Sequence, residues 1–179
     1  MRNPRLLALT AALCGALHGH PSALFAIKDA KDATKLDRLV GCDAIAILSN
    51  ATRVEVFHLS VSSQQDREPG VGGYAISEKV KGKGREFAKR LAEALLRIPE
   101  YSQDGNADEH HFTPIVGLRL WEEKEYVEVI LAGGYEVGIF TRDGKRHAYA
   151  AYGPSRAALV RLAKEALPGS KYVKYLKEE

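Results

Sequence analysis

Between residues 116 and 152 the chain is written in steps of two. Val116, Leu118 and Leu120 alternate with other residues up to Trp121, and residues 122–125 make a charged turn. Val127, Val129 and Leu131 repeat the pattern, Gly133 and Gly134 follow, and Val137 and Ile139 lead to Phe140. Asp143 and Gly144 form a hairpin pair, and residues 146–152 close the run. Successive strand residues point to opposite faces, so this alternation marks strands with one buried side. Turns this short join antiparallel neighbours. At Gly133 and Gly134 a tight reversal is expected, because glycine reaches positive φ at little cost.

Upstream, residues 52–59 place Val54, Val56 and His58 opposite Arg53, Glu55 and Phe57, a further strand. Residues 74–80 read as another, with Tyr74, Ile76 and Val80 on one side. Pro69, Gly70, Gly72 and Gly73 make residues 62–73 a loop. Two segments change to helical spacing. Residues 84–98 carry Phe87, Leu91, Leu95 and Ile98 on one face, with Ala88, Ala92 and Ala94 between, and Pro99 ends them. Ser155 caps the second helix, whose stripe is Leu159, Leu162, Ala163 and Ala166 before Pro168 and Gly169. The order ββαββββα predicts an α+β domain: an antiparallel sheet of five to six strands with both amphipathic helices on one face. The other face is left partly wet or free to bind.

The 179 residues suffice for one such domain. The organisation expected is a signal peptide at 1–19, a helical lead-in at 20–50, the α+β domain at 51–168 and a tail at 169–179. Arg2 and Arg5 precede an apolar run at 6–17 broken only by Thr10, and small residues permit cleavage after Ala16 or Gly19. The run is short for a membrane span, so no transmembrane segment is expected once it is removed. Export to a periplasmic or extracellular space follows. Lipid anchoring at Cys14 ranks second, because Leu13 stands where a lipobox wants a small residue, and an N-terminal core helix is the remaining alternative. Residues 27–40 read as a peripheral or loosely ordered helix, and 43–48 as helix or strand. Loss of Cys14 leaves Cys42 alone, which excludes an internal disulfide framework or a cysteine zinc site. Cys42 is expected as a small buried residue, with an intermolecular bridge or a reactive thiol as alternatives.

The formal charge is +3, and Arg2 and Arg5 supply most of the excess. Overall charge therefore gives no argument for nucleic acid. Asp108, Glu109, His110 and His111 are the densest set of possible metal ligands. Adjacent histidines in an extended chain diverge, so His58 or His147 would have to join them. Ser60, Ser62 and Ser63 lie near His58, without a nucleophile elbow. Gly82, Lys83 and Gly84 precede a helix, and Lys79, Lys81 and Arg85 add charge in a basic segment running from Lys79 to Arg90. Free amides at a helix start attract anions, but the phosphate-loop spacing is missing. Arg146, Tyr149 and Tyr152 suggest base stacking, although tyrosine is common in strands for packing reasons. Asn50, Ala51 and Thr52 fit a glycosylation sequon. No catalytic, cofactor-binding or metal-binding residue is assigned.

The RVEVFHL stretch at 53–59, the FTP at 112–114 leading into GLRL at 117–120, and VEVIL at 127–131 belong to one pattern. It is completed by Asp143-Gly144-Lys145 and the helix opening at Ser155. In these residues the chain resembles an uncharacterised group of exported bacterial proteins. The resemblance implies export and a small α+β fold, and it brings no activity. Relatives of the pattern often carry cysteines before the Phe-x-Pro and at the turn between the middle strands. Here those places hold His110 and Ala132-Gly133-Gly134, so that thiol link is missing.

Three functional expectations result. One is a non-catalytic binding or structural module of the cell envelope or extracellular space. A second is a metal-dependent hydrolase built on His110 and His111. The third is an anion or nucleic-acid binder using the segment from Lys79 to Arg90.

Overall fold

The computed structural model describes residues 30–63, 70–103 and 112–179, and the chain from Lys31 to Glu179 forms one unit. The segment expected to direct export, with Cys14, lies outside the described residues. Six strands make one antiparallel sheet: β1 (Arg53–Ser63), β2 (Tyr74–Gly84), β3 (Pro114–Glu122), β4 (Glu125–Ala132), β5 (Glu136–Thr141) and β6 (His147–Ala151). Their spatial order is β2-β1-β3-β4-β5-β6. The α+β architecture read from the alternation is the one observed. β2 runs on to Gly84, past the expected 74–80, because the exposed lysine Lys81 on this edge strand interrupts the apolar alternation.

The helices are α1 (Ala30–Val40), α2 (Cys42–Asn50), α3 (Arg85–Leu96), α4 (Arg156–Ala166) after a 3-10 turn at Gly153–Ser155, and the short α5 (Lys171–Lys174). The main core lies between them and one face of the sheet. Val54 and Val56, then Val116, Leu118 and Leu120, then Val127, Val129 and Leu131, then Val137 and Ile139 supply the sheet side. Phe87, Leu91 and Leu95 of α3 and Leu159 and Leu162 of α4 supply the helix side. Each fully buried aliphatic side chain contributes about 1.5–3 kcal/mol relative to exposure.

The unit is wider than the 51–168 expected. Leu36, Val40, Ala44 and Leu48 are all nearly inaccessible, and α2 lies over β3 and β4. Their four-residue spacing carries one buried stripe through the break at Gly41, so the lead-in is core rather than periphery. At the other end Val173 and Leu176 are buried as well. Cys42, expected inside, is exposed, because the stripe on α2 belongs to Ala44 and Leu48.

Two local devices differ from expectation. Ser155 does not use its hydroxyl to cap α4; its Oγ donates to the carbonyl of Ala94 at 2.6 Å, buried, and ties the end of α3 to the start of α4. At the β4–β5 turn the positive φ falls on Tyr135 (62°) rather than on Gly133 or Gly134. Tyr135 is held there by Tyr152, whose amide donates to its carbonyl at 2.7 Å, and by the Arg156 guanidinium 3.8 Å from its ring centre.

Candidate functional site

Cross-strand register sets the residues of the second sheet face in rows. One row is Arg53, Trp121 and Tyr126; the next is Glu55, Arg119, Glu128, Phe140 and His147. A third runs Lys79, Phe57, Gly117, Ile130, Gly138 and Tyr149. The middle of this face is covered. Val71 is fully buried and joins Phe57, Leu59, Ile130 and Phe140 in a second, smaller cluster.

The turn carrying Val71 is clamped by charge. Glu128 is almost wholly buried; its Oε1 accepts from Arg119 Nε at 2.8 Å, and its Oε2 accepts from the Gly72 amide at 2.6 Å. Arg119 Nη2 donates to the Gly70 carbonyl at 2.9 Å. A largely buried ion pair is steadied where further hydrogen bonds reach its members, and here one backbone group bonds to each of them. Gly72 has a φ of +55°, and a Cβ on it would come within 2.6 Å of Ile130. Gly117 leaves the hollow beneath, since a Cβ there would stand 2.9 Å from Leu59 and 3.1 Å from Val71.

Beyond the clamp the face divides. At the end of the sheet that holds the β3–β4 turn lies a lattice of cations and rings. The Arg53 guanidinium is 4.6 Å from the Trp121 ring centre, the Trp121 and Tyr126 centroids are 4.5 Å apart, and Arg142 stands 5.4 Å from Tyr126. Glu55 accepts from Trp121 Nε1 at 3.0 Å and from Lys79 Nζ at 2.7 Å. Burial raises the Glu55 carboxyl, but these two hydrogen bonds and the charges of Lys79 and Arg53 outweigh it and leave it below its ordinary value.

Toward β6 the face opens into a groove of about 870 Å³, within the usual range for ligand sites. Residues 101–103 form one wall: Ser102 exchanges backbone hydrogen bonds with Tyr149, at 2.9 and 2.8 Å, on the outer edge of β6. Tyr74, Phe112, Tyr149 and His147 line the groove with Lys35, Glu100 and Glu136. The rings pack in sequence. Phe112 lies 5.9 Å from Tyr74 and 5.4 Å, edge-on, from Tyr149, and His147 lies 5.5 Å from Tyr149. Such spacing is that of attractive edge and tilted contacts. Burial raises the Tyr74 phenol above its ordinary value. Tyr101 is wholly buried and donates to the Leu95 carbonyl at 2.9 Å, so its part is structural.

The residues singled out in the sequence are dispersed. Asp108, Glu109, His110 and His111 lie outside the described residues. His58 pairs with Val116 on the helix side, whereas His147 pairs with Phe140 on the second face, so the two open to opposite sides. Among the described residues no three His, Cys, Asp or Glu are placed to hold a metal ion. Ser60, Ser62 and Ser63 lie in β1, but the serine that meets His58 is Ser77 of β2, 3.0 Å from Nδ1. Ser77 Oγ already donates to the His58 carbonyl at 2.9 Å, so it accepts from the imidazole. That is the reverse of an activated nucleophile.

In the basic segment, Lys79 is bonded to Glu55 and Arg90 to Glu165 at 2.8 Å. A β-bulge between Lys83 and Val80 turns Lys83 to the side of Val54, where its charge acts on Glu165. Tyr152 is fully buried, which separates it from Tyr149, and Arg146 lies against Gly41. Asn50 of the sequon ends α2 and is exposed.

Sequence reasoning missed Lys35, Glu100 and Glu136 as groove residues, and Arg119 and Glu128 as a clamp. The clamp left one signal: Arg119 and Glu128 are the charged residues inside strands that are otherwise apolar on both faces. No protein-family model matches the chain, and no curated protein or solved structure is significantly similar to it. The likeness to exported bacterial proteins therefore rests on the quoted residues alone.

Proposed function

We propose that the chain is an exported, non-catalytic binding or structural module of the cell envelope or extracellular space, and that the groove beside β6 receives its partner. The observation that carries this reading is the make-up of the groove. Tyr74, Phe112, Tyr149 and His147 offer ring faces and edges, while Lys35, Glu100 and Glu136 stand around them with both signs of charge. Aromatic walls with a few placed polar groups suit recognition, because rings give contact area at little cost in side-chain order. Export is supported by Arg2 and Arg5 ahead of the apolar run at 6–17.

The other readings gain less support. A metal-dependent hydrolase on His110 and His111 could recruit His58 or His147 but not both, since these face opposite sides of the sheet. An anion binder on the segment from Lys79 to Arg90 would need cations acting together, and Glu55 and Glu165 already divide them.

Selection of a displayed peptide library against the purified protein tests the groove. Ala151 is exposed at its rim and lies outside the main core, so Ala151→Trp narrows the groove with a bulky ring. Selected peptides should bind the parent and lose at least tenfold in affinity for Ala151→Trp. Failure to select any binder, or equal binding to both proteins, defeats the reading. Export has its own test: the mass of the protein recovered from a secreting host should correspond to removal of about the first nineteen residues.

A further inference from the structure

We propose that the C-terminal segment from Lys171 to Lys177 is a docking surface for an anionic phospholipid bilayer. This inference stands apart from the groove. The segment repeats in threes: Lys171, Lys174 and Lys177; Tyr172 and Tyr175; Val173 and Leu176. The third set faces inward, with Val173 and Leu176 both buried. The second set faces out. Among the described residues, Tyr172 at 51% and Tyr175 at 79% are the large apolar side chains left exposed.

The segment is held firmly to the domain. The Lys177 amide donates to Tyr135 Oη at 3.1 Å, and Arg156 Nε donates to the Lys177 carbonyl at 3.2 Å. His58 stacks on Tyr172 with centroids 5.8 Å apart, and Lys171 Nζ lies 5.0 Å from the same ring. Two tyrosines are thus presented in fixed positions among three lysines and Arg156. The two acidic residues of the tail follow the lysines: Glu178 is engaged by Arg161 at 3.5 Å, and Glu179 is exposed, so the excess of positive charge rests on Lys171 and Lys174 with Lys177 beside them.

Charge complementarity selects an anionic partner, and the rings select its kind. A ring exposed to 79% projects and does not line a recess. Projecting tyrosines seat in a soft headgroup layer, with the ring body among acyl chains and the phenol among phosphates. Lysine stems lie along the apolar boundary while their ammonium groups reach the lipid phosphates. No helix among the described residues is long and apolar enough to cross a membrane, so the contact proposed is at the surface.

The test uses the full chain, sedimented with vesicles of phosphatidylglycerol and phosphatidylcholine in equal parts, and with phosphatidylcholine alone. The expected result is preference for the anionic vesicles that weakens as salt is raised. Lys171→Gln, Lys174→Gln and Lys177→Gln together should lower that partitioning about a hundredfold, roughly fivefold for each lysine. Tyr175→Ala should lower it about threefold at unchanged thermal unfolding, since that side chain is 79% exposed, and adding Tyr172→Ala should bring the loss to about tenfold with a small drop in unfolding temperature from the lost His58 stack. The apolar run at 6–17 is present in every variant, so the loss on changing the lysines belongs to the tail. Equal partitioning of the parent and the lysine variant overturns the proposal. So does an absence of preference for anionic vesicles, or capture of poly-glutamate or single-stranded DNA while the vesicles stay unbound.

Discussion

On the helix side of the sheet, Val116, Leu118, Leu120, Val129 and Ile139 share one continuous apolar layer with the stripes of α2, α3 and α4. On the opposite side, Val71 is laid over Ile130 and Phe140 by a turn held through Glu128 and Arg119. The first layer is closed by area, since every contributor gains by leaving water. The second is too small to close itself and relies on directed bonds to backbone groups. The difference teaches that a sheet can bury both faces by unlike means. Packing defects should dominate stability on one side, and loss of a charge on the other.

The sharpest test of the apolar side is Leu118→Ala, at a fully buried position in the middle of β3. A cost of about 2–5 kcal/mol is expected in urea unfolding, because neighbours refill such a cavity only in part. A cost under about 1 kcal/mol would mean that the layer repacks freely and the contrast is wrong. On the clamped side, Glu128→Gln leaves Arg119 facing an uncharged group, with an expected cost of about 2–4 kcal/mol. Arg119→Met combined with Glu128→Leu should cost less than either single change, since no unpaired charge remains. Additive costs in that cycle would show that the pair does not act as a unit.

A smaller change separates covering from clamping. Gly117→Ala keeps every charge but places a methyl 2.9 Å from Leu59 and 3.1 Å from Val71. Overpacking of this kind costs about 1–3 kcal/mol. It should also speed hydrogen exchange at the Gly72 amide, which bonds to Glu128. Slow exchange preserved at Gly72 would show that the turn is held by charge alone, whatever lies beneath it.

The helix side was legible because period-two and period-3.6 patterns report burial directly, as in Val127, Val129 and Leu131 or Phe87, Leu91 and Leu95. The second side was not. Phe57, Ile130 and Phe140 fall at positions that alternation assigns to water, and their cover comes from Val71 in a glycine-rich stretch read as a loop. The core stripe of Leu36, Val40, Ala44 and Leu48 was hidden because Gly41 divides it into two short pieces. The groove was illegible for a plainer reason: the topology gathers Lys35, Glu100, Glu136 and His147 from distant parts of the chain, and nothing local marks any of them.

The smallest expected effect lies at the far end of the second face, where solvent screens the charges. Lys79 is 59% exposed, so its pair with Glu55 should contribute under about 1 kcal/mol. Its sign is still definite. Glu55 titrates below its ordinary value of 4.5 in the folded chain, so it binds a proton less readily folded than unfolded. The stability it gives is complete above that ordinary value and is lost as pH falls through the lower, folded one. The chain has a single tryptophan, Trp121, and its Nε1 donates to Glu55 at 3.0 Å. Its emission should therefore change in that acid window before global unfolding. In Glu55→Gln the amide oxygen still accepts the bond but carries no titrating charge, so the change should vanish. A tryptophan transition that persists in Glu55→Gln would assign the acid response to another group.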